Sequence, residues 1–329
     1  MRRFITDILL FCLFLAALTV LAERAYHLKL RLLRLPRGTN TLICGDSHNQ
    51  TALNDAIIQG SVNICQSAEH FLFTYQKLKL AVAVNPGIKT VVLAVSYHSF
   101  SSFYDDFFLD HDVARQMDVC YFLMLDYQCK FFILRNNFPA VARAAPGIIR
   151  ELTEVVRARR CQDYFFWGRY YGSDRSKLSD EITASAINEH FYRPGGEPQG
   201  FATYQAQYLQ RIARFCSSRN IVLVLINTPV SPQYAARIPG KFIDNYYATV
   251  KPLASDTVRF LDYHDLELPA DCYGDGDHLN RRGAMHFSKL VVADLAAASR
   301  SGRLADSGAY FCRVRAGDRA GIVKAVLLR

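Results

Sequence analysis

The feature that most constrains the fold is a set of short apolar runs that alternate with helical segments. The runs at 41–44, 89–95 and 220–226 are rich in branched side chains, which is typical of strands buried on both faces of a parallel sheet. Apolar residues at helical spacing fill 68–84, after a short strand predicted at 61–65. The resulting β-α-β-α-β order predicts an α/β fold with a mostly parallel sheet and crossover helices.

The same pattern divides the chain into segments. Residues 39–298 form the predicted α/β domain, and residues 99–200 interrupt its rhythm with a stretch rich in aromatic residues and arginine. We predict a mostly helical insertion there, which either forms a lid or substrate groove or packs on the core as extra helices. Further helices are predicted at 49–58, 201–218, 243–253 and 282–298, and a further strand at 258–262.

The N-terminal segment, 1–38, contains a nearly continuous apolar run from residue 4 to 22 that only Asp7 interrupts. About 20 apolar residues are needed to span a bilayer. Because the run is long for a signal peptide, we expect an uncleaved signal anchor, although Val20-Leu21-Ala22 is a weak cleavage sequence. Basic residues flank both ends of the run, so charge alone leaves its orientation open.

The net charge and the spacing of the cysteines limit which kinds of ligand or partner we expect. The net charge is +9, but no basic–aromatic motif of a nucleic-acid binder is present. The excess charge suits a membrane surface or an anionic polymer, or is simply a basic solvated surface. The nine cysteines show no metal-ligand spacing, so we predict no metal site. The basic tail, 299–329, contains two runs, 310–315 and 322–328, that are predicted to pair as a hairpin.

Two remote motifs carry the candidate chemistry. Gly45-Asp46-Ser47-His48 lies between the first strand and a helix, at the sheet edge where α/β folds bind ligands. The free N–H groups of a helix N-terminus suit an oxyanion there. A serine nucleophile needs a base, and His278 is one candidate, with Asp275 three residues earlier to orient it. The alternatives are that Ser47 is only a helix cap and that Asp277 caps the last helix.

Together these motifs resemble the GDSL/SGNH hydrolase superfamily. Residues 277–284, Asp-His-Leu-Asn-Arg-Arg-Gly-Ala, are similar to those of membrane-anchored, exported members related to polysaccharide O-acetyltransferases and the D-alanyl transfer protein. Over 39–98 and 201–298 the resemblance implies a three-layer α/β/α fold and a triad of Ser47, His278 and Asp275. It also implies ester hydrolysis or acyl transfer without a cofactor, in a domain outside the cytoplasm.

The sequence departs from the superfamily around the oxyanion. The glycine usual after the second strand and the asparagine usual after the third are both absent. The candidate donors are therefore the backbone N–H groups of Ser47, Ser67 and Ala68 and the side chains of Asn63, Ser96 and His98. His48 is a candidate pocket residue.

Two functions from different classes follow. The first is a membrane-anchored serine esterase or O-acyltransferase that acts through an acyl-enzyme on an acylated cell-surface glycan or a similar polymer. The alternative is a non-catalytic accessory protein that binds a glycan or a membrane acyltransferase partner; the altered oxyanion segments favour it, and the complete triad disfavours it.

Overall fold

The computed structural model describes residues 2–109, 122–160, 167–300, 309–316 and 319–326. These residues fall into two compact units, Met1–Ser288 and Lys289–Arg329. In the first unit a five-stranded parallel sheet is flanked by helices. The predicted α/β class is therefore confirmed.

The sheet has the strand order β2-β1-β3-β4-β5, and every neighbouring pair is parallel. The strands are β1 (Thr41–Cys44), β2 (Ser61–Asn63), β3 (Thr90–Ala94), β4 (Val222–Asn227) and β5 (Val258–Asp262). Leu42 in the centre of β1 lies opposite Val62 on one side and Val91 on the other. The chain winds outward in both directions from the β1–β3 pair. In open parallel sheets of this kind, ligands bind at the carboxyl ends of the strands where the winding reverses.

Eleven helices are formed by the described residues. They are α1 (Arg2–Leu32), α2 (Ser47–Ala52), α3 (Phe71–Val84), α4 (Phe103–Leu109), α5 (Tyr127–Arg143), α6 (Ala145–Arg157), α7 (Asp180–Phe191), α8 (Thr203–Ser217), α9 (Pro232–Ala235), α10 (Gly240–Val250) and α11 (Arg281–Arg300). Helices α4 to α7 make the described part of the insertion mostly helical, as predicted, while 110–121 and 161–166 lie outside the described residues. Helix α5 is interrupted by non-helical backbone at Asn137, two residues before Pro139.

Helix α2 is shorter than the 49–58 helix predicted from sequence, because it begins at Ser47 and ends at Ala52. Two side chains beyond its end compete for backbone hydrogen bonds. The Oδ1 of Asn54 accepts from the N–H of Ala56, and the Oδ2 of Asp55 accepts from the N–H of Asn63 on β2. Such local bonds favour turns over helix, and here they hold the turn that returns the chain to the sheet.

Helix α1 has two different surroundings along its length. Its apolar first part is exposed, whereas Tyr26 and Leu30 near its end are buried together with Leu33 just beyond it. These residues join the apolar core, and α1 packs there against α3 and α6. Among the described residues, α1 is the helix that is long and apolar enough to cross a membrane.

The second unit contains the hairpin predicted in the tail. Strands β6 (Ala309–Ala316) and β7 (Arg319–Val326) pair antiparallel, with Cys312 opposite Val323. The hairpin prediction is confirmed, although the strands run closer to the turn than expected and residues 327–329 lie outside the description.

Candidate active site

Ser47, His278 and Asp275 meet at the carboxyl end of β1. The Oγ of Ser47 is 2.8 Å from the Nε2 of His278. The Nδ1 of the same imidazole lies 2.9 and 3.1 Å from the two carboxylate oxygens of Asp275. This is the geometry in which a carboxylate orients an imidazole and the imidazole can take the proton of a serine hydroxyl.

The turn before Ser47 depends on a glycine. Gly45 has φ of +118°, and a Cβ built on it would lie 2.7 Å from the Cβ of Ala94 on β3. Only glycine fits this conformation and this close approach without strain. Asp46 follows as the N-cap of α2, and its Oδ1 accepts from the N–H of His48 at 3.0 Å. Ser47 is thereby fixed as the first residue of α2.

The loop that carries His278 is held by its own side chains. The Oδ1 of Asp275 accepts from the backbone N–H of His278 at 2.9 Å, in addition to its contact with the ring. Asn280 caps α11, because its Oδ1 accepts from the N–H groups of Arg282 and Gly283. The sequence-based alternative that Asp277 caps this helix is therefore wrong.

Asp277 instead points inward as a second carboxylate beside the imidazole of His278. Its Oδ1 is 3.4 Å from the Nδ1 of His278, and its Oδ2 is 3.4 Å from the Nε2 of His48. Burial opposes protonation of His278, but Asp277 and then Asp275 outweigh burial and raise its pKa above the ordinary 6.5. Burial likewise opposes ionisation of Asp277, yet the imidazoles of His278 and His48 lower its pKa. The two carboxylates therefore favour the protonated form of the His278 imidazole.

Behind the triad lies a layer of buried histidines. The rings of His98 and His190 stack with centroids 4.6 Å apart, and His98 lies 4.3 Å from the ring of His48. Burial and the neighbouring His98 lower the pKa of His190 to about 3, and burial and His48 also lower the pKa of His98. Both rings are thereby shifted toward the neutral form. Sequence reasoning missed His190, because nothing in its local pattern within α7 marks it as part of the site.

Asp46 connects this histidine layer to the insertion. Its Oδ2 accepts a hydrogen bond from the hydroxyl of Tyr104 at 2.6 Å and lies 3.4 Å from the Nε2 of His98. Burial alone would favour the neutral carboxyl, but hydrogen bonding from His98 and the electrostatic interaction with His48 hold the pKa of Asp46 well below its ordinary value. Tyr104 on α4 therefore ties the insertion directly to the turn that carries Ser47.

Several of the predicted oxyanion side chains are occupied elsewhere. Asn63 donates to the carbonyls of Asn49 and Leu53 and accepts from the N–H of Cys65, so its amide fastens α2 to β2. His98 faces Asp46. For Ser96 the bond is at the backbone, because its N–H donates to the Oγ of Ser99 at the start of a 3-10 turn, and its own Oγ has no hydrogen-bond partner among the described residues.

The backbone donors remain available. The N–H of Gln66 donates to the carbonyl of Gly45 at 3.2 Å, which sets the 66–68 loop beside the turn that carries Ser47. Ala68 has φ of +55°, a conformation that glycine usually supplies. Within the described residues, the N–H groups of Ser47, Ser67 and Ala68 have no hydrogen-bond acceptor. The Oγ of exposed Ser67 donates to Gln50.

A buried ion pair between Lys77 and Glu69 lies next to the 66–68 loop. The Nζ of Lys77 on α3 lies 2.5 Å from the carboxylate of Glu69, and both side chains are almost fully buried. The same ammonium donates to the carbonyls of Ile64 and Trp167. Lys77 thereby joins α3, the end of β2 and the segment between α6 and α7 in one hydrogen-bonded cluster.

A cavity of about 500 Å³ opens near the end of α2. It is lined by Asn54, Arg169, Tyr170, Tyr171, Gly172 and Arg281. The N–H of Tyr171 donates to the carbonyl of Gln50, so the loop that forms one wall rests on the helix that begins at Ser47. Two guanidinium groups and two phenols make this cavity suitable for a polar or anionic group.

One group of side chains has the spacing of a metal site. Ligand atoms of His48, Asp277 and His278 lie within 4.8 Å of one another. Both ring nitrogens of His278 already face the triad partners Ser47 and Asp275. A metal here would compete with the triad.

Comparisons with known proteins give limited similarity. A protein-family model matches residues 193–299, about a third of the chain, which includes Asp275 and His278 but not Ser47. No curated protein matches the chain. A solved structure from Streptococcus pneumoniae, provisionally described as a platelet activating factor, aligns with a TM-score of 0.39 at 14% identity, covering 87% of this chain and 98% of its own. A provisionally described acylhydrolase from Bacteroides fragilis aligns with a TM-score of 0.39 at 10% identity, covering 85% of this chain and 97% of its own.

Proposed function

We propose that this chain is an SGNH-type serine esterase or O-acyltransferase that acts through an acyl-enzyme on Ser47. Helix α1 would anchor it in the cell membrane with the α/β domain outside the cytoplasm, where an acylated cell-surface glycan or a similar polymer is the substrate. The observation that carries the proposal is the 2.8 Å contact between the Ser47 Oγ and an imidazole whose other nitrogen faces Asp275.

The proposed reaction begins when the Nε2 of His278 takes the proton of the Ser47 hydroxyl as the oxygen attacks the acyl carbonyl. The tetrahedral oxyanion would receive hydrogen bonds from the N–H of Ser47 and from the N–H of Ser67 or Ala68, which have no other acceptor among the described residues. One such donor contributes roughly 10²–10³ in rate. Asp275 and Asp277 would stabilise the imidazolium.

The intermediate would then collapse as His278 gives its proton to the leaving alcohol, which leaves the acyl group on Ser47. Water or a sugar hydroxyl, deprotonated by the same imidazole, would attack the acyl-enzyme and release Ser47. Water gives ester hydrolysis, and a sugar hydroxyl gives acyl transfer. No step requires a cofactor.

A serine-reactive fluorophosphonate probe tests the nucleophile. We expect wild type to be labelled and Ser47→Ala not to be, with hydrolysis of p-nitrophenyl acetate reduced by at least about 10³-fold. Ser67→Ala is the matched control, because it removes another hydroxyl at the same loop edge and keeps the backbone N–H. Equal labelling of wild type and Ser47→Ala, with unchanged hydrolysis, would falsify the triad and favour the accessory-protein alternative.

A further inference from the structure

Helices α5 and α6 carry a stripe of exposed apolar side chains. On α5, Tyr127, Phe131 and Leu134 lie at spacings of four and three residues and therefore share one face. Phe131 is 66% exposed, and Phe138 beyond the helix break is 65% exposed. On α6, Ile149 and Val156 are exposed seven residues apart. Scattered apolar residues on a surface are ordinary, but clustered aromatic residues on one helix face indicate a binding surface.

The opposite face of α5 packs against the core and holds the helix in place. Cys129, Ile133 and Val141 are buried in the core, and the side chain of Gln76 donates to Asp126 just before the helix begins. The exposed stripe is therefore held outward by a well-packed helix. It does not need a conformational change to become accessible.

This stripe lies close to the position where the apolar run of α1 ends. Residues 4–22 would span about 28 Å as a helix, close to the roughly 30 Å hydrocarbon core of a bilayer. Glu23 follows at once, and it pairs with Lys130 on α5. Lys130 immediately precedes Phe131, so α5 meets α1 at the end of its apolar run.

A second contact fixes α6 at nearly the same level. The hydroxyl of Tyr26 donates to Glu151 on α6, and Tyr26 is three residues, or about 4.5 Å along the helix axis, beyond Glu23. The exposed residues of α5 and α6 thus lie beside the level at which α1 would leave the hydrocarbon. Aromatic residues are favoured at this level of a membrane.

The charges on these helices fit the same location. Arg135 and Arg143 on α5 and Arg157 on α6 are exposed beside the apolar residues, and Arg24 is exposed on α1 at the same boundary. Basic side chains beside an apolar helix face are the pattern of helices that lie in the interface of an anionic membrane.

We propose that α5 and α6 rest on the lipid bilayer, with the surface formed by Tyr127, Phe131, Leu134, Phe138, Ile149 and Val156 in the headgroup region. The insertion would then be a membrane-docking element that fixes how the α/β domain sits over the bilayer, and not a lid. This inference rests on the proposed membrane insertion of α1 but is independent of the triad.

The test places a fluorescent amino acid at one position of the full-length chain in lipid nanodiscs that carry nitroxide-labelled lipid. With the probe replacing Phe131, we expect quenching by about half or more, since interfacial helices bury their apolar face about 5–10 Å deep. Asp256, exposed in the turn before β5, is the matched control and should stay unquenched. Replacing phosphatidylcholine by phosphatidylglycerol should increase quenching at Phe131, and Leu134→Asp should abolish most of it.

A probe at Leu13 separates the two proposals. Quenching at Leu13 shows that α1 is inserted, whatever happens on α5. Quenching at Leu13 without quenching at Phe131 would overturn the lipid-docking proposal. The exposed stripe would then be a binding surface for a protein partner. An unquenched Leu13 would overturn the membrane insertion of α1 and, with it, the docking proposal.

Discussion

Replacing Asp277 by asparagine should lower the pKa of the His278 imidazole. Asparagine keeps the shape of the side chain but removes the negative charge 3.4 Å from the His278 Nδ1. Coulomb's law gives about 5 kcal/mol for this separation at an effective dielectric constant of about 20, and about 1 kcal/mol in water. The His278 side chain is 23% exposed and the Asp277 side chain only 4%, so the interaction lies between these two energies. We therefore expect the pKa of His278 to fall by about one to two.

Imidazole NMR on selectively labelled histidine measures this pKa directly, with His278 assigned through His278→Gln. The sign of the effect on catalysis follows from the proposed role of His278 as base. Wild-type kcat/KM should rise with pH through a midpoint above the ordinary histidine value of 6.5, because His278 must lose its proton. In Asp277→Asn that midpoint should move to lower pH.

The exposed Asp174→Asn is the matched control, since its carboxylate is 72% exposed and pairs with Arg281. It should leave the His278 pKa nearly unchanged. An unchanged or higher pKa in Asp277→Asn would refute the assignment of Asp277 as the charge that stabilises the imidazolium. If the pKa falls but the rate profile does not move, His278 is not the base.

Two further predictions concern stability. Lys77→Met should lower the free energy of unfolding by about 3–5 kcal/mol, because it leaves the Glu69 carboxylate buried and unpaired. In denaturant unfolding, the double variant Lys77→Met with Glu69→Gln should recover most of this loss. Equal losses in the single and the double variant would contradict the pairing. Burial raises the pKa of Glu151 from 4.5 to about 7, so the folded state holds this proton where the unfolded chain has lost it. Wild-type stability should therefore fall by up to about 3 kcal/mol as pH rises through that window, and Glu151→Gln should remove this part of the pH dependence in thermal melts at about pH 5 and about pH 8.

Local pattern was sufficient for most of the fold. The strand at 41–44 was predicted with the bounds it has, and the strands near 90 and 222 were predicted within two residues. Their β-branched runs are buried on both faces, and this burial leaves a continuous apolar signature. The error in α2 arose where Asn54 and Asp55 bind backbone groups, an effect that apolar periodicity does not reveal.

Within the candidate site, sequence alone determined which residue types could act: a serine at a strand-to-helix turn and a histidine with an acid three residues before it. Only the tertiary structure decided how they are surrounded. Asp277, for which a role as helix cap was one alternative, turns inward, and His190 reaches the site from the insertion. Asn63, a candidate oxyanion donor, fastens α2 instead. The reason is physical: a side chain's partners depend on which remote segments the sheet brings to its carboxyl edge, and those contacts leave no periodic trace in the local sequence.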